Sequence, residues 1–180
     1  TRDCEVLEPC LWLRNHSRYR RIPFIHTLGS RSMSIEIRPA QASDKDRWLV
    51  LWQGYLDFYK TSLTSHQSEL TWSRIMDPNF NMKCAVAVQD GQVIGFTTYN
   101  LQNSTWSENG HCYLEDLFVD PAVRGGGVGR ALIDYVKAYA IENKCSRLYW
   151  NTDEDNATAR KLYDTYTLES GKRQYRVPLT

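Results

Sequence analysis

The residues best suited to chemistry lie between Tyr113 and Asn143. Arg124-Gly125-Gly126-Gly127-Val128-Gly129-Arg130 packs four glycines into five positions between two arginines. Ahead of it, Tyr113–Val119 is apolar and aromatic, and Asp120-Pro121 stops it, because proline has no N–H to continue a ladder. Behind it, Val128, Leu132, Tyr135, Val136 and Tyr139 recur at helical spacing. The order is therefore strand, glycine loop, helix. Glycines permit positive φ and close approach of main chain to a ligand. The first N–H groups of a helix carry a partial positive charge, and a neighbouring arginine adds to it. The chemistry implied is a phosphorylated ligand held mainly by backbone.

Two common phosphate loops do not fit. A nucleoside triphosphate loop ends in Gly-Lys-Ser/Thr, whereas Gly129 is followed by Arg130-Ala131. A dinucleotide fingerprint needs a small residue at its third position; counting from Gly127 that position is Leu132, and from Gly125 it is Arg130.

The elements that must carry this loop can be read outward from it. Ser34–Ala40 reads as a first strand. Ser43-Asp44 opens a helix as a cap, with Trp48, Trp52, Tyr55, Leu56 and Tyr59 on one face. Aromatic residues in such a stripe are read first as core. A second helix spans about Gln67–Met76 and breaks at Asp77-Pro78, and the loop 61–66 ends in a solvated His66. Cys84–Val88 and Val93–Tyr99 form a hairpin through Asp90-Gly91. A polar loop, Gln102–Gly110, leads into the strand at Tyr113. After the long helix, Arg147–Asn151 is a strand parallel to it through a right-handed crossover. A helix through Ala159, Leu162 and Tyr163 follows the acidic run Asp153-Glu154-Asp155, and a last strand lies near Gln174–Leu179. The fold class is α/β: a mixed central sheet with one parallel pair and helices on both faces.

The loop fits R-G-x-G-x-G/A after an apolar strand and before a helix. That pattern resembles the coenzyme A pyrophosphate loop of the GNAT superfamily of N-acetyltransferases. The resemblance covers Ile35–Leu179. Tyr113–Val119, Asp57-Phe58-Tyr59, Asp77-Pro78-Asn79, Tyr149-Trp150 and Leu162-Tyr163 are similar to the small histone/polyamine and spermidine/spermine-type acetyltransferases. The resemblance implies acetyl-CoA as co-substrate and direct acetyl transfer to a primary amine of a small molecule, such as a polyamine or amino acid. A protein or histone lysine, or a chain N-terminus, is the alternative acceptor, and a non-catalytic acetyl-CoA-binding module is a third reading.

It further implies roles for particular residues. Leu117, Phe118 and Val119 offer backbone to the pantetheine arm, with the N–H of Leu117 or Phe118 polarising the thioester. Arg124, Gly125, Gly126, Gly127, Val128, Gly129 and Arg130 cradle the pyrophosphate. Asn156 contacts the coenzyme. Tyr163 protonates the leaving sulfur, and Glu115 takes the amine proton, often through water. Asp116 on the opposite face is the rival base, and burying a strand carboxylate without cause is costly. After Tyr163 the sequence runs Thr165-Tyr166-Thr167-Leu168 instead of the usual glycine-aromatic pair, which leaves the last strand and a homodimer built on it open.

Composition narrows the setting. With 180 residues, 42% hydrophobic and 24% charged, the chain can bury one core. A net charge of +1 gives no reason for nucleic acid or an anionic membrane as partner, and no apolar run reaches a membrane span. The five cysteines, Cys4, Cys10, Cys84, Cys112 and Cys145, show no metal spacing, which reads as reduced thiols, no metal and a cytoplasmic setting. Residues 1–32 stand apart as an N-terminal extension with six arginines against three carboxylates. They read as upstream reading frame, as an arginine-rich targeting segment or as an arm packing on the domain, with the acetyltransferase-like domain spanning 33–180.

Overall fold

The computed structural model describes residues 34–179. The expectations for 1–32 fall outside that range. Five strands form one sheet in the order β1-β2-β3-β4-β5: β1 Glu36–Pro39, β2 Lys83–Gln89, β3 Gln92–Gln102, β4 His111–Val119 and β5 Leu148–Tyr149. The first four are antiparallel neighbours, and β5 joins β4 in parallel. Helices α1 (Lys45–Phe58) and α2 (Ser65–Met76) lie between β1 and β2, α3 (Val128–Glu142) between β4 and β5, and α4 (Ala157–Tyr163) after β5. None of the described helices is long and apolar enough to cross a membrane.

Alternation along each strand splits the core in two. Val86, Val88, Phe96 and Phe118 face one side and pack with Trp48, Trp52, Leu56, Trp72 and Ile75 of α1 and α2. Ala85, Tyr99, Cys112 and Leu114 face the other and pack with Ile133, Val136 and Ala140 of α3. Ala87 and Ile94 extend that second side against Val128 and Leu132. Helices thus cover both faces, as the period-2 strands and 3.6-period helices require. Cys84 and Cys112 are buried in the core, and Cys145 is only half-buried.

β4 departs from strict alternation. Thr98 pairs with Asp116 and Tyr99 with Leu114, so Glu115 has no partner on β3 and is the extra residue of a β-bulge. The consequence is a change of parity. Leu114 and Leu117, three apart, both pack on the α3 side, while Phe118 packs on the α1 side. An unbulged strand would send residues three apart to opposite faces. The extra residue also coincides with the end of the parallel ladder. β4 and β5 pair only at Cys112–Leu148 and Tyr113–Tyr149. The strand expected over Arg147–Asn151 is therefore cut to two residues, and its ladder with β4 ends two positions before the bulge.

Three further expectations change. Asp44 does not cap α1; its carboxylate takes two hydrogen bonds from Arg38 (2.7 and 2.8 Å) and one from the Gln41 N–H (2.8 Å), tying β1 to the turn before the helix. Helix α2 begins at Ser65, earlier than expected, because Thr64 accepts the Gln67 N–H and caps it. The strand expected at Gln174–Leu179 does not form. The segment pairs with no strand, and Tyr175, Val177 and Leu179 are at least 80% exposed.

The largest wholly buried side chain is Trp48. Its ring lies 5.3 Å from Trp52, 5.1 Å from Trp72 and 5.6 Å from Phe96, and so locks both helices to the sheet. Trp48→Ala is expected to cost about 3–5 kcal/mol, a typical cost of truncating a buried tryptophan, and Trp48→Phe clearly less. Urea unfolding with an unchanged m-value checks this; a cost under about 1 kcal/mol for the alanine variant would remove Trp48 from its place as the hub.

Candidate active site

The site begins where β4 and β5 part. Asp120 donates its N–H to the Ile94 carbonyl (2.9 Å), so even-numbered residues at this end of β4 bond toward β3. By alternation, the main-chain groups of Leu117 and Val119 point to the opposite edge, which β5 no longer covers. The carbonyl of Val119 accepts a hydrogen bond from Arg124 Nε (3.1 Å), which agrees with that direction. Of the two expected backbone donors, Leu117 therefore presents its N–H to the open edge, and Phe118 presents its own to β3. The Phe118 ring faces α1 instead, where Gly54 makes room; a Cβ on Gly54 would lie 3.0 Å from the ring.

At the end of this edge lies the glycine loop. Gly125 (φ 89°) and Gly127 (φ 81°) are left-handed, and a Cβ at either would meet nothing within 4 Å. The glycines here leave open space above the main chain. No side chain caps α3, whose first intrahelical bond runs from the Ala131 N–H to the Gly127 carbonyl. The N–H groups of Val128, Gly129 and Arg130 are thus free to meet an anion. A groove of about 380 Å³ lies between α1 and the end of β4 at the root of this loop, lined by Arg47, Gly54, Phe118, Asp120, Pro121 and Arg124 but by none of the loop glycines. The Arg130 side chain takes no part in the loop: its guanidinium donates to Thr165 Oγ1 (2.9 Å) and lies over the Tyr166 ring. It pins the end of α4 to the start of α3.

At the other end of the open edge stand the two carboxylates. Glu115 projects from the bulge and is exposed, so the expected burial of a strand carboxylate does not occur. It has no hydrogen-bonding or ionic partner among the described residues. Asp116 is half-buried, accepts the Thr98 hydroxyl and faces the Tyr55 hydroxyl of α1. Both carboxyls are raised above the ordinary range: Glu115 by desolvation and then by Asp116, Asp116 by desolvation against the pull of its two hydroxyl neighbours. Asp116 is thus engaged, whereas Glu115 is free.

Tyr163 is the last residue of α4 and lies near Tyr59. Its ring packs on Trp150 (centroids 5.3 Å apart), and burial, with Tyr59 nearby, pushes its hydroxyl up to about 12. It therefore holds its proton at neutral pH, and that hydroxyl donates to no group among the described residues. Asn156 has other work than expected: its Oδ1 accepts the Ala159 N–H (3.3 Å) and its amide donates to Thr152 (3.1 Å), which caps α4.

A ring of tyrosines completes the mouth. Tyr59 lies within electrostatic reach of Asp153, Asp116 and Tyr113, and of Tyr163. Tyr113 packs against Tyr149, the rings tilted and 5.0 Å apart. Tyr55 and Tyr59 were read from the sequence as core, because aromatic residues four apart on a helix usually are. The available signal was that this stripe ends in two tyrosines, whose hydroxyls seek polar partners.

A model of the acetyltransferase (GNAT) family matches residues 48–166. The chain is 31% identical over 144 residues to the D-amino-acid N-acetyltransferase HPA3 of Saccharomyces cerevisiae, covering 79% of this chain and 89% of that one. It is 29% identical over 142 residues to the thialysine N-epsilon-acetyltransferase of Mus musculus, covering 72% and 81%. The solved aminoglycoside N-acetyltransferase AAC(6')-Iy in complex with CoA has the same fold, with a TM-score of 0.72 at 19% identity over 84% of this chain and 98% of that one. The fold and slot define a GNAT-type acyltransferase. This chain belongs to the acetyltransferase (GNAT) family and is an N-acetyltransferase.

The raised carboxyls carry a stability consequence. Between the unfolded carboxylate value, about 4, and the higher folded values, the folded state binds more protons than the unfolded one. Stability is then greatest below about pH 4 for this pair and falls as pH rises through the folded values. Asp116→Asn is expected to remove Asp116's share of that slope and to raise the melting temperature at about pH 7–8 more than at about pH 4–5. Calorimetric scans across pH check it; an equal shift at all pH values would show that the carboxylate charge is not the cause.

Proposed function

We propose that this enzyme moves an acetyl group directly from acetyl-CoA to a primary amine of a small molecule, with Glu115 as base and Tyr163 as acid. The observation that carries the reading is the uncapped start of α3, with open space above Gly125 and Gly127, at the end of an open β4 edge that also bears the unengaged Glu115. Tyr163, a phenol with no acceptor among the described residues, supports it from α4. The residues present suit the donor. Open space above Gly125 and Gly127 admits a pyrophosphate against the N–H groups of α3. The exposed β4 edge can take the amide-bearing pantetheine arm as a strand takes a neighbour.

The chemistry follows from what the acceptor brings. An alkylamine has a pKa near about 10 and arrives as an ammonium. Glu115, unengaged and with its carboxyl raised, takes one N–H proton directly or through a water. The amine lone pair attacks the thioester carbonyl, and the Leu117 N–H offers a hydrogen bond to the oxygen as it gains charge. The C–S bond breaks, and the thiolate takes the Tyr163 proton. Attack leaves the nitrogen positively charged, and it passes its remaining excess proton to the Tyr163 oxygen; Glu115 gives its proton to solvent, so the amide and the free thiol form with one net proton released.

The mouth supports a cationic acceptor. Glu115, Asp116 and Asp153 surround Tyr55, Tyr59 and Tyr113, and carboxylates with tyrosine rings favour ammonium groups. Relatives named for D-amino acids and for thialysine support small amines over protein chains. A homodimer belongs to the same reading, since Leu168, Tyr175, Val177 and Leu179 are all at least 80% exposed and gain by burial. Light scattering of the purified protein should give twice the 21.0 kDa chain mass; a single chain mass would end that part of it.

Thiol release from acetyl-CoA, measured across polyamines, D- and L-amino acids, aminoglycosides and histone peptides, should show turnover with small amines and little with peptides. Glu115→Gln should lower kcat by about 10²–10⁴ and abolish the acidic limb of the pH profile. Tyr163→Phe removes an interaction made only as the thiolate leaves, so it should lower kcat while leaving CoA binding within about twofold. Full turnover in either variant would remove that residue from its assigned role.

A further inference from the structure

The glycine loop needs a fixed starting point, because four glycines supply no rigidity of their own. Asp120, the residue at which β4 leaves the sheet, supplies it. Its N–H bonds the Ile94 carbonyl (2.9 Å) and its carbonyl accepts the Val123 N–H (3.0 Å). Oδ1 accepts the Ala122 N–H (3.0 Å), closing the turn Pro121–Val123 that delivers Arg124. Oδ2 accepts from Arg47 of α1 at 2.5 Å. Arg47 meanwhile donates from Nε to the Val93 carbonyl (2.9 Å) at the start of β3. One guanidinium thus clamps three elements: α1, the β2–β3 hairpin and the root of the loop.

The same contact settles a charge problem. Asp120 stands close to a loop that must receive an anion. Arg47 and Arg124 both act on its carboxyl, which the Ala122 N–H and Arg47 hold below its usual range. Removing Arg47 would leave an uncompensated carboxylate beside the anion cradle and loosen the turn that aims it. A half-exposed ion pair contributes little to global stability, so the effect belongs to the loop and not to the fold.

We propose that Arg47 is a positioning residue for the donor: through Asp120 it orients the glycine loop and keeps it electrostatically open to the pyrophosphate. This rests on acetyl-CoA being the donor. It separates two kinds of donor, those that carry a pyrophosphate and those that do not.

The test compares acetyl-CoA with S-acetylpantetheine, a thioester without the nucleotide and pyrophosphate. Parent turnover with acetyl-CoA is established first, and its absence would overturn both the functional reading and this one. Arg47→Gln should raise KM for acetyl-CoA about tenfold, leave kcat within about twofold and leave kcat/KM for S-acetylpantetheine unchanged, the pattern of lost uniform binding. Arg47→Lys, which keeps the charge, should recover part of the loss. Asp120→Asn keeps the acceptor for Ala122 and removes the charge, so it should partly relieve the Arg47→Gln defect in the double variant. Circular dichroism and melting temperature report on folding alongside. Equal losses with both donors would make Arg47 merely structural, and unchanged KM for acetyl-CoA would dismiss the clamp.

Discussion

One extra residue in β4 organises the site. A strand that kept strict pairing would hold β4 and β5 together along their length and leave no slot. The bulge at Glu115 leaves that residue without a β3 partner and reverses the facing of everything after it. Beyond it, Leu117 and Phe118 still find the correct cores, and the parallel partner strand is lost after Tyr149. The unpaired edge so created costs main-chain hydrogen bonds, a cost justified where a ligand's amides replace the missing strand.

Around that edge, packing and chemistry share the same elements. Trp48, Trp52 and Trp72 form an aromatic block under the sheet, and the helix carrying two of them ends in Tyr55 and Tyr59 at the mouth. The rigidity of the block fixes where those hydroxyls stand. On the far face, Arg130 and Tyr166 join α3 to α4, with the Tyr166 hydroxyl donating to Asp134 (2.7 Å), which sets the position of Tyr163. The residues proposed as base and acid therefore sit on a strand and a helix, Glu115 on β4 and Tyr163 on α4, not on free loops.

Charge is distributed with the same economy. Carboxylates gather near the bulge, where Glu115 and Asp116 are kept harder to ionise by desolvation. Arginines gather at the root of the glycine loop, where Arg47 and Arg124 offset Asp120. Negative and positive side chains are thus separated along β4, the arrangement that joining an ammonium acceptor to a polyanionic donor would call for under the proposed function.

Much of this was legible in residue order. The glycine loop between strand and helix, the Asp90-Gly91 hairpin and the apolar periods of α1 and α3 are local signals, set by backbone sterics and by which side chains avoid water. They determine the elements, the α/β class and the anion-binding loop. Tertiary structure alone decided the rest. The bulge has no local code, because it is defined by what β3 places opposite, and so the sequence could not tell whether Glu115 or Asp116 stands free. Asp44 and Asn156 carry polar side chains whose partners come from folding. Arg47 and Asp120 are 73 positions apart, and only packing of α1 against the sheet brings them within a hydrogen bond. The unpaired segment 174–179 shows the converse: strand-like alternation is local, but a strand exists only where a neighbour's main chain is there to meet it.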